Sequence, residues 1–302
     1  MSQSTLPQRS RLQRAIGPFS AGRRLVIGVP YAWLIGAFLL PFLIVLRISF
    51  IDTEGVNDFF GSLLSKPGMA NYRFIASDDL YLLTYLSSLR YAALTTLLCL
   101  VIGYPFAWFM ARARASLRPV LLMLVMLPFW TSFLLRIYAW KGILANQGLL
   151  NHVLLALGVV QQPLHMMNTP FSLMIGLVYA YLPFMILPLY ANLVKLDMRY
   201  LEAALDLGAT PLQTFWRVTV PLSKSGIIAG CMLVFIPAVG EYVIPELLGG
   251  PDTLMIGRLL WDEFFTNNDW PVASALTVVA VLLILLPMAL FNHFKQELPG
   301  RA

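Results

Sequence analysis

The sequence predicts an all-α integral membrane protein with six transmembrane helices. Three observations carry this. The 302-residue chain is 59% hydrophobic and only 12% charged, whereas ordinary soluble domains are about a quarter charged. Apolar segments long enough to cross a hydrocarbon core recur six times. Lysine and arginine gather in alternate connections between those segments. With a mean hydropathy of +0.74, the chain has too little polar surface to cover its apolar residues in water, so lipid is the expected solvent.

A span needs about 20 mostly apolar residues. The six segments are Leu25–Leu46, Leu89–Ala111, Val120–Leu135, Phe171–Val194, Gly226–Leu247 and Pro271–Phe291. The first follows Arg9, Arg11, Arg14, Arg23 and Arg24. It is longer than a signal-peptide core and no small-residue cleavage site follows it, so it is expected to be retained. The third is short and is expected to continue through Trp140. Prolines fall inside several spans, at Pro41, Pro105, Pro128, Pro183, Pro188, Pro237, Pro245 and Pro287. A membrane bundle tolerates them because neighbouring helices re-satisfy the freed carbonyls. Gln147–Leu157 has helical apolar spacing and is expected to lie along the surface. Trp261, Phe264, Phe265 and Trp270 precede the last span, as interfacial aromatics do.

Charge sets the orientation. The N-terminal arm, the loop with Arg112, Arg114 and Arg118, the loop with Lys195, Arg199, Arg217 and Lys224, and the tail with Lys295 and Arg301 are the basic connections. The opposite loops carry Asp52, Glu54, Asp58, Asp78 and Asp79, then Asp252, Asp262, Glu263 and Asp269. Both termini are therefore expected in the cytoplasm. The organisation expected is a cytoplasmic arm over 1–24, a transmembrane domain over 25–294 and a cytoplasmic tail over 295–302. The net charge of +6 does not point to nucleic acid, because the basic residues flank apolar runs instead of forming one face. Cys99 and Cys231 sit alone in apolar runs and are expected to be free thiols. His152 and His165 are isolated, so no metal site is expected. No set of catalytic side chains is evident.

The loop between spans four and five, about 197–221, carries the most specific pattern. Asp197 is placed to cap a short helix running through Glu202 to Leu207. Gly208 can adopt the left-handed conformation that ends a helix. Thr210 then caps a second helix, with Pro211 at its first position and Gln213 completing a capping box. Leu205, Leu207, Leu212, Phe215 and Trp216 are distributed over the two helices. The expected product is a rigid, partly apolar knuckle able to dock another protein; an interfacial hairpin without a partner is the alternative. The run Glu202-Ala203-Ala204, Gly208, Val218 and Pro221 resembles the EAA loop of binding-protein-dependent ABC importer permeases. One marked place departs from that pattern: Val220 stands where the family has leucine. The resemblance implies a type I ABC importer permease-like bundle in which Glu202, Ala203, Ala204, Gly208 and Pro221 couple to an ATPase. It also implies a sister permease subunit, a cytoplasmic ATPase dimer and a periplasmic or extracellular substrate-binding protein. No Walker A sequence occurs in the chain, so ATP and magnesium would be bound by the partner ATPase, and no cofactor is expected here.

Span five holds two acids, Glu241 and Glu246. An ionised side chain near mid-membrane costs about 2.5–3.5 kcal/mol on insertion scales, which makes it a functional candidate. On a continuous helix Glu241 would share a face with Gly230, Val234, Pro237 and Pro245, and Glu246 would lie about 140° away, nearer the surface. An acid beside a pathway favours a cationic solute. Tyr242, or a tyrosine of span four, could add an aromatic face for an ammonium group. Tyr179 and Tyr181 point apart on a helix, and Tyr181, beside Pro183, is the candidate. Structural roles for all four side chains remain open at this point. The stretch Gly240–Asp252, with Ile256-Gly257-Arg258 and Asp269-Trp270-Pro271, is similar to putrescine-type polyamine importer permeases, which implies putrescine or a close polyamine as substrate. Two alternatives stand beside this: an ABC permease for another small solute, and a proton-coupled secondary transporter with Glu241 as relay.

Overall fold

The computed structural model describes residues 19–51 and 67–296, and among these every regular element is a helix. Helix α1 (Phe19–Ile48) runs for 30 residues through Pro30 and Pro41. Its apolar stretch over 25–43 is exposed throughout, which carries no penalty where lipid replaces water. A short helix α2 (Ala70–Ser77) leads into α3 (Asp79–Arg112), whose N-terminus is capped by Asp78 accepting from Leu80 N at 2.9 Å. At 34 residues, α3 is about 51 Å long and outreaches a hydrocarbon core of about 30 Å. Then come α4 (Arg118–Met126), α5 (Phe133–Leu144), α6 (Leu149–Ala156) and α7 (Pro170–Leu193). The chain continues with α8 (Arg199–Asp206), α9 (Pro211–Thr214), α10 (Val220–Leu222) and α11 (Lys224–Val239). It closes with α12 (Val243–Leu248), α13 (Ile256–Trp261) and α14 (Trp270–Gln296).

Helices α3, α7 and α11 form the packed centre. Cys99 and Ala107 of α3, Leu177, Met185 and Leu189 of α7, and Val234 and Ala238 of α11 are fully buried there. The approach of α11 to α7 depends on small residues: a Cβ at Gly230 would lie 2.7 Å from Met185 Sδ. One face of α3 carries polar residues that reach the C-terminal third of the chain. The Tyr81 hydroxyl donates to Glu263 Oε1 at 2.8 Å, the Tyr85 hydroxyl donates to the Leu276 carbonyl at 2.6 Å, and Ser88 Oγ accepts from Ile256 N at 2.6 Å. These three bonds fix α13 and α14 against the centre.

Two predicted spans are not continuous helices. Segment 118–130 ends in a 3-10 turn, Leu127–Trp130, that includes Pro128, and Thr131 and Ser132 then run extended. The helices on either side, Arg118–Trp130 and Phe133–Ala156, meet at 86°, so the expected run through Trp140 is a sharply bent pair. Span five ends at Val239 and does not reach Leu247. Pro245 lacks the N–H that would bond the Glu241 carbonyl, and its ring would clash with that carbonyl in a straight helix. The chain breaks at Gly240 and restarts at Val243. The expected single face running from Gly230 through Glu241 to Pro245 therefore does not exist. The described residues supply three helices of spanning length and composition, α1, α3 and α7, two bent pairs, and the apolar helix α14. The segment expected to be helical over 147–157 forms α6 (Leu149–Ala156). The arm residues Arg9, Arg11 and Arg14, the acids Asp52, Glu54 and Asp58, and most of the tail lie outside the described residues.

Candidate functional site

Two groups of predicted residues occupy two separate places. The first is the knuckle between α7 and α11. Glu202, Ala203 and Ala204 sit on α8, with Glu202 and Ala203 exposed. The α8 N-cap is Met198, one residue later than expected, and Asp197 instead accepts from Arg199 N at 3.0 Å. Gly208 follows α8 with φ of +83° and open space around its α-carbon. The left-handed backbone, not crowding, is what calls for glycine here. Thr210 and Gln213 then close a reciprocal box, with Gln213 N donating to Thr210 Oγ1 at 3.3 Å and Thr210 N donating to Gln213 Oε1 at 3.0 Å. A π turn over Phe215–Thr219 precedes α10, which holds Pro221, and the segment Pro211–Leu222 meets α11 at 69°. Leu205, Leu207, Leu212 and Trp216 are exposed on the knuckle, Leu207 to 88%. Phe215 instead turns inward, edge-on to Tyr104 at 5.4 Å. The result is a stiff corner with an apolar surface that none of the described residues covers, the kind of patch that marks a protein contact.

The second place is the break after α11. Glu241 is half-buried in it, not on a helix face. Its Oε2 accepts from the buried Tyr181 hydroxyl of α7, and its Oε1 accepts from the N–H of Val243, the first residue of α12, at 3.1 Å. Tyr179, by contrast, packs against Trp140. A carboxylate offers about four lone-pair sites, so two acceptors' worth of capacity remains beside these bonds. The carbonyl end of α11 also lies here, and broken-helix carbonyl ends favour cations.

The remaining two candidates are positioned by α13. A Cβ at Gly257 would lie 2.5 Å from both the Gly240 and Glu241 carbonyl oxygens, so only glycine lets α13 pack onto the break. That contact places Arg258 Nε 2.8 Å from Glu246 Oε2 as an ion pair, and it stacks Trp261 on Tyr242 with centroids 4.4 Å apart. Phe265 continues the aromatic run, 4.1 Å from Trp261. Burial raises the Asp262 carboxyl above its ordinary range, Glu246 and Glu263 adding to the rise while Arg258 opposes it. Tyr181 and Glu241 thus form one bonded pair. Tyr242 and Glu246 belong to an adjoining shelf with Arg258, Trp261 and Asp262. Glu246 is exposed but ion-paired, not simply bathed in solvent. Sequence reasoning missed Arg258 and Trp261 as members of the site; the glycine before Arg258 was the available signal. It also placed Glu263 in a loop. The residue lies in a π turn, Asp262–Thr266, and is buried between Tyr81 and Asn267. Among the described residues no group of three or more metal-ligating side chains occurs.

Comparison with known proteins agrees with this architecture. The sequence profile of the binding-protein-dependent transport system inner membrane component family matches residues 100–298. The spermidine/putrescine transport system permease protein PotB of Haemophilus influenzae is 41% identical over 275 residues, spanning 91% of this chain and 94% of that protein. PotB of Escherichia coli is 44% identical over 258 residues, 84% of this chain and 92% of that protein. The solved structure of a bacterial ABC transporter that imports the acidic polysaccharide alginate superposes with a TM-score of 0.69 at 16% identity, covering 96% of this chain and 100% of that one. The MetNI methionine ABC transporter in an inward-facing conformation gives a TM-score of 0.55 at 15% identity over 72% of this chain and 96% of that one. The fold is that of a type I ABC importer permease, and ATP hydrolysis in such systems is the work of another chain. This chain belongs to the binding-protein-dependent transport system inner membrane component family, as a multi-pass inner membrane permease subunit.

Proposed function

We propose that this chain moves a polyamine, putrescine or a close polyamine, from an external binding protein into the cytoplasm in an ATP-driven importer. The observation that carries the reading is the half-buried Glu241 carboxylate at a helix break, with lone pairs to spare beside the Tyr181 and Val243 bonds. An ammonium group leaving water needs such acceptors, and the carbonyl end of α11 adds to them. The adjoining Tyr242–Trp261 stack offers faces for alkyl stems and ammonium groups. The level of identity to proteins named as spermidine/putrescine permeases supports the same substrate class.

The chain works with a sister permease, an ATPase dimer that docks on the knuckle around Glu202–Pro221, and a periplasmic binding protein. It crosses the membrane six times with both termini in the cytoplasm, and the knuckle is on that side. The test is uptake in cells. Deleting this chain should abolish accumulation of labelled putrescine or spermidine, and restoring it should return accumulation. Undiminished uptake of both polyamines, with loss of some other solute, would overturn the assignment.

A further inference from the structure

An open groove of about 510 Å³ runs between α3 and the segment from Phe215 to Ile227. Leu97, Val101, Pro105 and Trp108 form one wall, and Trp216 and Ile227 lie opposite. The hydroxyl in the groove, that of Tyr104, is already bonded to Ser223 Oγ at 2.9 Å. The rest of the lining is almost wholly apolar, so a polar ligand would lose more hydrogen bonds to water here than it gains. From Leu97 to Trp108 the groove extends about 16 Å along α3, the depth of one leaflet of a hydrocarbon core of about 30 Å.

The end of the groove at Trp108 is cationic. Arg112 continues the same face of α3, one turn beyond Trp108. Its guanidinium lies over the Trp108 ring, 4.4 Å from the centroid, and its Nε and Nη2 have no acceptor among the described residues. Arg118 folds back toward the end of α3, its Nε donating to the Ala113 carbonyl at 3.0 Å; Arg114 lies between the two arginines, and the segment 111–118 contains no acid. Among the described residues neither guanidinium is paired with an acid, and two such groups side by side call for an anion.

We propose that this groove binds an anionic phospholipid, one acyl chain lying along the α3 wall and the phosphate held by Arg112 and Arg118. A hydrocarbon tail joined to a negative headgroup meets both halves of the site, whereas an apolar protein helix meets only one. This inference does not depend on the transported solute.

The test uses the assembled complex in vesicles and reads Trp108 fluorescence, isolated as the difference between the wild-type complex and Trp108→Phe. Acyl-brominated phosphatidylglycerol should quench it with an apparent affinity about fivefold higher, for each arginine engaged, than brominated phosphatidylcholine. The preference should fall to near one in Arg112→Gln/Arg118→Gln and persist in Arg112→Lys. Equal quenching of wild type by the two lipids would overturn the proposal in favour of unselective annular lipid. Absence of quenching by either would overturn it in favour of a protein segment in the groove.

Discussion

At the scale of single residues, Glu241 is the most informative position. Its carboxylate does structural work, accepting from Tyr181 and Val243, and in the proposed mechanism also receives the solute's ammonium. Glu241→Gln keeps the size and one acceptor oxygen for Val243 N but removes the charge. A hydrogen bond to a charged group contributes about 1.5–3 kcal/mol, so polyamine uptake should fall roughly tenfold to a hundredfold in fully assembled complex. Measuring uptake and assembled complex in one preparation separates the roles: unchanged uptake would remove Glu241 from the mechanism, and lost assembly would make it purely structural. Glu246→Gln is the control. Its charge is already met by Arg258 at 2.8 Å, so the smaller loss is expected there. The acids themselves were legible in the sequence. Their geometry was not, because Tyr181 is 60 positions from Glu241 and only the packing of α7 on α11 brings them together.

At the scale of elements, the prolines show where sequence reading stops. Pro105, Pro183, Pro188 and Pro237 all lie inside continuous helices, whereas Pro128 and Pro245 mark breaks. The difference lies with their neighbours. Thr131 and Ser132 take extended backbone after Pro128, and Gly240 with the close contact at Gly257 stabilises the break before Pro245. Local chemistry was easier to read at the knuckle: the Thr210–Gln213 box, Pro211 and the left-handed Gly208 follow from near neighbours alone. That yields a prediction about conformation. Gly208→Val forces a β-branched residue to a φ of +83°, at a cost of about 1–2 kcal/mol or more, and should abolish transport while the chain still inserts. Gly208→Asn should retain much of the activity, because asparagine tolerates this backbone and the space around the site is open. If valine and asparagine variants transport equally well, the corner's conformation is not what couples the loop.

At the scale of the whole molecule, the alternating charge of the loops and the exposed apolar length of α1 describe a chain embedded in lipid. Reporter fusions at Ser65 and Asn267 should read as external, and fusions at Ser116 and Thr214 as cytoplasmic; a cytoplasmic signal at Ser65 would overturn the six-span orientation. The central claim is that polyamine passage through this chain is driven by a partner's ATP hydrolysis, and one measurement addresses it directly. Labelled polyamine uptake is followed in proteoliposomes holding this chain and its sister permease, with and without the ATPase subunits, the binding protein, ATP and an imposed proton gradient. The account predicts uptake only when ATPase, ATP and binding protein are all present, with no response to the gradient. Uptake that proceeds without the ATPase and follows the proton gradient would contradict it.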